Sequence, residues 1–142
     1  MNRLDGKVAL ISGGARGQGR EIAVKFASEG ADIVIFDICH DLDTVAYPLG
    51  TKDELAETAQ LVEAHGRRCL TAIADVRDQE SIDVVVSDAI EALGHIDIAI
   101  CNAGIVDFAP LWEITEEQWS DQVDVNLSGV WRTAKAVATH MM

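Results

Sequence analysis

The sequence predicts an α/β fold in which helices cover both faces of a parallel, doubly wound sheet with strand order 3-2-1-4. Two observations carry that expectation. Apolar runs and stretches of helical period alternate strictly along the 142 residues, with no repeat, low-complexity tract or proline- or serine-rich linker. The apolar runs, such as Val8-Ala9-Leu10-Ile11 and Ile33-Val34-Ile35-Phe36, have no polar alternation, which suits strands buried on both sides and joined by right-handed crossovers.

Each element has its own signal. Val8 to Ile11 is the first strand. The first helix runs from about Gly17 to Glu29, with Ile22, Ala23, Phe26 and Ala27 on one face and Gly30 as its stop. Ile33 to Phe36 is the second strand. The second helix opens at Thr51, which has the capping-box spacing to Glu54, turns Leu55, Ala59 and Val62 inward, and ends at Gly66. Arg68 to Ala74 is the third strand. Asp78 caps a third helix whose Ile82, Val85, Val86, Ala89 and Leu93 recur at helical spacing up to Gly94. Ile96 to Ile100 is the fourth strand. Thr115 and Gln118 form another capping-box pair before a long helix holding Trp119, Val123, Asn126, Val130 and Trp131, with Gly129 as a possible bend. Residues 1–142 are expected to form one domain.

The turn Ser12-Gly13-Gly14-Ala15-Arg16-Gly17-Gln18-Gly19 lies between the first strand and the first helix, which is where the pyrophosphate of a dinucleotide rests in a Rossmann-type sheet. Gly13 permits the tight turn, Gly17 admits the phosphates to the backbone, and Gly19 lets the helix approach the strand. The N–H groups and positive dipole end of the helix then face the anion. Asp37 ends the second apolar run about twenty residues beyond the turn, as expected of an acid that accepts hydrogen bonds from the adenosine ribose hydroxyls. A 2′-phosphate at that place meets a like charge. Roughly 4 kcal/mol of repulsion at 4 Å and an effective dielectric of ~20 favours NAD over NADP. Arg16 opposes this, because a basic side chain in the glycine turn can pair with a 2′-phosphate; Asp37 prevails because it stands at the ribose itself.

Composition excludes other classes. A net charge of -13 repels nucleic acid and anionic membrane surfaces. No apolar run approaches the ~18 residues needed to span a membrane, and the N-terminus carries no basic-then-apolar leader. Cys39, Cys69 and Cys101 are widely spaced without a C-x-x-C pair and read as small hydrophobes, in keeping with a reducing cytoplasm. His40, His65, His95 and His140 have no metal-ligand spacing, so no metal site is assigned.

Taken together, these residues resemble the short-chain dehydrogenase/reductase family over the whole chain. Ser12 to Gly19 is similar to the family's T-G-x-x-x-G-x-G turn, with serine in place of threonine. Asp75-Val76 resembles its adenine-ring contact. Cys101-Asn102-Ala103-Gly104 resembles N-N-A-G, which supports the sheet and lines the nicotinamide-ribose side; Cys101 departs from the first asparagine, which is expected to cost packing detail and not the site. Val125-Asn126-Leu127-Ser128-Gly129 resembles V-N-x-x-G, whose asparagine belongs to a catalytic set of Asn, Ser, Tyr and Lys. The resemblance thus implies a cofactor site made of Gly13, Arg16, Gly17, Gln18, Gly19, Asp37, Ile38, Asp75, Val76, Asn102, Ala103 and Gly104, and a catalytic role for Asn126 in bending its helix and holding a water of the proton relay.

The long segment after the second strand, with Leu42 to Tyr47, Pro48-Leu49 and Thr51 to Thr58, is similar to the mycofactocin-coupled, carveol-dehydrogenase-like branch, in which it folds over a bound NAD that does not exchange freely. The resemblance also implies an alcohol or ketone substrate and a homotetramer of the complete protein, with Trp119 and Trp131 in the core or at subunit contacts. The family's catalytic tyrosine and the lysine four residues after it are not found. Tyr47 is the sole tyrosine, has no such lysine, and is expected on the adenosine side, away from Asn126. The chain is therefore expected to be the cofactor-binding portion of a longer NAD-dependent oxidoreductase, cut before the Tyr/Lys pair. The alternative is a module that binds NAD and catalyses nothing.

Overall fold

A computed structural model describes residues 2–142. Four parallel strands, β1 (Val8–Ser12), β2 (Asp32–Asp37), β3 (Cys69–Ile73) and β4 (Ile98–Ile100), lie in the order β3-β2-β1-β4. Between them run α1 (Gly17–Ser28), α2 (Lys52–Glu63) and α3 (Gln79–Leu93); α4 (Glu116–Val123) and α5 (Gly129–Met141) follow β4. The expected class and strand order are both found.

The two central strands explain the sheet's double cover. β1 is buried at every position and β2 at all but its last. Ala9, Ile11, Ile33 and Ile35 face a layer with Ala23 and Ala27 of α1 and Leu55 and Val62 of α2. Val8, Leu10, Val34 and Phe36 face the opposite layer with Ile82, Val85, Val86 and Ala89 of α3 and Val137 of α5. Alternate side chains of a strand point to opposite faces, so both sets must be apolar, and the period-two signal vanishes. The outer strands are shorter than their apolar runs. The ladder takes Cys69–Ile73 of the expected 68–74 and Ile98–Ile100 of the expected 96–100, although single backbone bonds continue at Arg68, Ala74 and Asp97, a difference within the usual latitude of element ends.

The caps follow the sequence. The Thr51 hydroxyl accepts from Glu54 N–H at 3.2 Å while the Glu54 carboxylate accepts from Thr51 N–H at 2.9 Å. Thr115 and Gln118 make the same reciprocal pair, and Asp78 accepts from Glu80 N–H at 3.0 Å.

Two expectations about helices are corrected. Ala59 is only half-buried; the inward position of α2 is Thr58, fully buried because its hydroxyl reaches the Ala15 carbonyl at 2.9 Å and receives Arg20 Nε at 2.9 Å. The break in the last long helix is a π-helical turn, Asp124–Ser128, and not a bend at Gly129 itself. Gly129 serves close approach: a Cβ there would lie 2.7 Å from Val76 Cγ2. Among the described residues no helix is long and apolar enough to cross a membrane.

Candidate functional site

A cavity of about 330 Å³ opens at the C-terminal ends of β1, β2 and β4, where the strand order reverses. Its floor is the glycine turn. Gly13 has φ +69°, and a Cβ on it would come within 2.9 Å of Ala103 Cα. A Cβ on Gly19 would stand 2.0 Å from the Gly13 carbonyl oxygen, so α1 can enter the turn this closely only with glycine there. Unlike α2, α3 and α4, α1 has no side-chain cap and no acid in its first turn. Its first N–H groups are thus left to an anion, and no carboxylate competes for the dipole.

The turn is fixed from both sides. The Ser12 hydroxyl accepts from the N–H groups of Asn102 and Ala103, each at 3.0 Å, and the Asn102 amide donates to the carbonyls of Ser12 and Gly13 at 3.0 and 3.2 Å. The Ser12 hydroxyl and the Asn102 amide together bridge the ends of β1 and β4. Cys101 is half-buried, and burial pushes its thiol above the usual range. On the other side Arg20 donates to the Ala15 carbonyl at 2.8 Å and to the Glu54 carbonyl at 2.9 Å, tying the turn to α2.

Asp37 sits at the end of β2, with one carboxylate oxygen accepting from Ala15 N–H at 3.1 Å and the other facing Cys39 N–H at 3.5 Å. Arg16, next along the turn, donates to the Pro48 carbonyl. Asp75 is held by Arg77 through main-chain N–H, Nε and Nη2 contacts of 2.9, 2.9 and 2.7 Å. Burial works to raise the Asp75 carboxyl, but these hydrogen bonds outweigh it and hold the group below the ordinary carboxylate range. Arg77 also reaches Asp121 of α4 at 2.7 Å.

The segment after β2 is ordered across the cavity mouth. Val45 and Leu49 are buried in the cluster that holds Val34 and Phe36. Leu49 N–H donates to Asp41 at 2.7 Å, Thr44 donates to Asp121 at 2.6 Å, and Val106 N–H donates to the Tyr47 hydroxyl at 3.0 Å. The last contact corrects the expected position of Tyr47. Asn126 accepts from Ile105 N–H at 2.9 Å and donates to the Ile105 carbonyl at 2.8 Å, so Tyr47 and Asn126 grip adjacent residues of one loop. The long segment brings the ring across the cleft, a reach that the position of β2 alone does not suggest.

Of the residues expected at a cofactor, Gly13, Arg16, Gly17, Gln18, Asp37, Ile38, Asp75, Val76, Asn102, Ala103 and Gly104 all line the cavity, and Gly19 lies buried beneath it. Asn126 stands behind the wall that Ile105 and Val125 form. Each end of its side-chain amide makes one bond to Ile105, and the exposed amide keeps a second N–H and a second oxygen lone pair for a water. Trp119 and Trp131 are 62% and 59% exposed, which corrects the reading of either as core. Sequence reasoning missed Arg20, Thr44, Thr58 and Asp121, whose partners lie 34 to 77 residues away or act through backbone carbonyls. Only the T-x-x-E cap nearby hinted that α2 begins beside the site. Among the described residues no three His, Cys, Asp or Glu side chains gather as a metal site.

Comparison with known proteins agrees with this geometry. The chain is 47% identical to a (-)-trans-carveol dehydrogenase of Rhodococcus erythropolis, over 100% of the chain and 52% of that protein. The crystal structure of a carveol dehydrogenase from Mycobacterium avium in complex with NAD superposes with a TM-score of 0.95 at 48% identity, covering 99% of this chain and 51% of that one. A short-chain dehydrogenase from Mycobacterium paratuberculosis bound to NAD gives a TM-score of 0.95 at 44% identity, covering 98% and 52%. The chain thus spans about half the length of these relatives. The family model for short chain dehydrogenase matches residues 7–142, and on that match, with the glycine turn and strand order described above, the chain belongs to the short-chain dehydrogenase family.

Proposed function

We propose that residues 1–142 bind NAD in the cavity at the switch point and form the cofactor-binding part of an oxidoreductase acting on an alcohol or ketone. The observation that carries this reading is the convergence of the uncapped α1 N-terminus, Asp37 and Asp75 on one cavity. The N–H groups around Gly13, Gly17 and Gln18 receive the pyrophosphate, with Gly19 allowing the approach. Asp37 accepts from the adenosine ribose hydroxyls beside Ile38, and Asp75 with Val76 holds the adenine. Asn102, Ala103 and Gly104 line the nicotinamide-ribose side. Asn126 positions that wall by fixing Ile105, and at the π-helical turn it holds a water of the proton relay.

When bound, NAD supplies a hydride acceptor, or in reduced form a hydride donor. The residues present bind and orient it and exclude water; the phenol and lysine that move the proton in this family have no counterpart among the 142 residues. The chain spans about half the length of its relatives, so the 142 residues are read as the cofactor-binding part. Segment 42–50 covers the adenosine half, and its anchoring supports slow NAD exchange of the mycofactocin-coupled kind. The exposed Trp119 and Trp131 support a role at subunit contacts, with a homotetramer as the complete assembly. The free cysteines fit a cytoplasmic location.

Hydrogen exchange with and without NAD tests the binding reading. Protection is expected at residues 13–19, 37–50 and 102–106; protection confined to other regions would contradict it. The chain alone is expected to yield no NADH from secondary alcohols, and steady NADH production by the purified 142 residues would require a different catalytic group.

A further inference from the structure

The glycine turn carries a base, Arg16, next to a residue bonded to Asp37, and that placement bears on cofactor choice. Ala15 N–H donates to Asp37 at 3.1 Å, so the Arg16 side chain starts beside the carboxylate expected at the ribose. Among the described residues lining the cavity, Arg16 is the only lysine or arginine. A free guanidinium there would receive a 2′-phosphate, with two parallel donors for its oxygens. In the structure its Nη2 is turned elsewhere, donating to the Pro48 carbonyl.

That carbonyl is held in place by a built turn. Leu49 is buried and its N–H donates to Asp41 at 2.7 Å, while the proline ring fixes the backbone one residue earlier. The main chain then presses on the acid itself: a Cβ on Gly50 would lie 3.1 Å from Asp37 Oδ1 and 2.9 Å from Ala15 Cβ. One turn, Pro48 to Gly50, both engages the cation and crowds the anion.

We propose that Arg16 and the Pro48 carbonyl form a second determinant of cofactor choice: the turn withholds the cation that would otherwise accept a 2′-phosphate, so NAD selection rests on this segment as well as on Asp37. The proposal deepens the reading of the cavity as an NAD site and rests on it.

Calorimetric titration of the 142-residue chain with NAD and with NADP tests it. Asp37→Ser is expected to weaken NAD and to raise NADP affinity less than threefold, because Arg16 remains engaged. Adding Asp41→Ala or, at an exposed position, Pro48→Gly loosens the turn and is expected to raise NADP affinity at least tenfold over Asp37→Ser; Arg16→Ala in the same background removes the gain. A tenfold NADP gain from Asp37→Ser alone that Arg16→Ala abolishes would overturn the proposal, since Arg16 would then be free. So would the absence of any gain in both loosened variants with intact thermal melts. Failure of the unmodified chain to bind NAD would overturn the reading of the cavity, and this proposal with it.

Discussion

Asp37, Gly19 and Tyr47 each hold a position that one substitution can test. Asp37→Ala removes the like charge at the expected ribose and is expected to narrow the preference for NAD, mainly by weakening NAD; calorimetry with both dinucleotides measures the ratio. Gly19→Ala sets a methyl group 2.0 Å from the Gly13 carbonyl, a distance that no side-chain rotation relieves. The turn must open, and NAD affinity is expected to fall at least tenfold. Tyr47→Phe leaves Val106 N–H without its acceptor and frees the segment from the loop at Ile105 and Val106. Losing one such hydrogen bond costs about 1 kcal/mol, which predicts a roughly fivefold faster NAD release in stopped-flow measurements.

At the scale of elements, the well-read features were those with local causes. The caps at Thr51, Asp78 and Thr115 are contacts within three residues, so their spacing was visible in the sequence. Thr51→Ala is accordingly expected to cost about 1 kcal/mol in chemical denaturation, with no change in NAD affinity. Features with distant causes were hidden. Thr58 replaces Ala59 at the inner face of α2 because a hydroxyl satisfied by Ala15 and Arg20 can be buried, and nothing near residue 58 announces those partners. The π-helical turn at Asp124–Ser128 likewise follows from Asn126 reaching across to Ile105, a pairing that helical period does not encode. That Gly13, Asp37 and Asp75 would share one cavity was legible because glycine and acid spacing around a strand end is a local pattern; the segment's grip on Val106 and Asp121 was not, because it depends on the tertiary path of 42–50.

For the whole molecule, two properties follow from charge and surface. Asp32 is buried against Arg67 and Arg68; burial works to raise its carboxyl, but the Arg68 hydrogen bonds and both guanidinium charges hold it low. Asp75 and Asp97 are lowered as well. A lowered folded pKa contributes stability above the unfolded value near 3.9, lost as pH falls through the folded value. Urea midpoints are therefore expected to decline below about pH 4, and less steeply in Asp75→Asn. Phe108, Leu111 and Trp112, in the segment that follows β4 in the chain, are 89%, 80% and 84% exposed. Such exposed large apolar side chains predict concentration-dependent association, measurable by sedimentation velocity.

The central claim, that this chain holds NAD at the end of its sheet, is tested most directly by calorimetric titration of the unmodified 142-residue chain with NAD and NADP. The expected result is saturable NAD binding at one site per chain with NADP at least tenfold weaker; no NAD binding by a chain that melts cooperatively, or equal or tighter binding of NADP, would contradict the account.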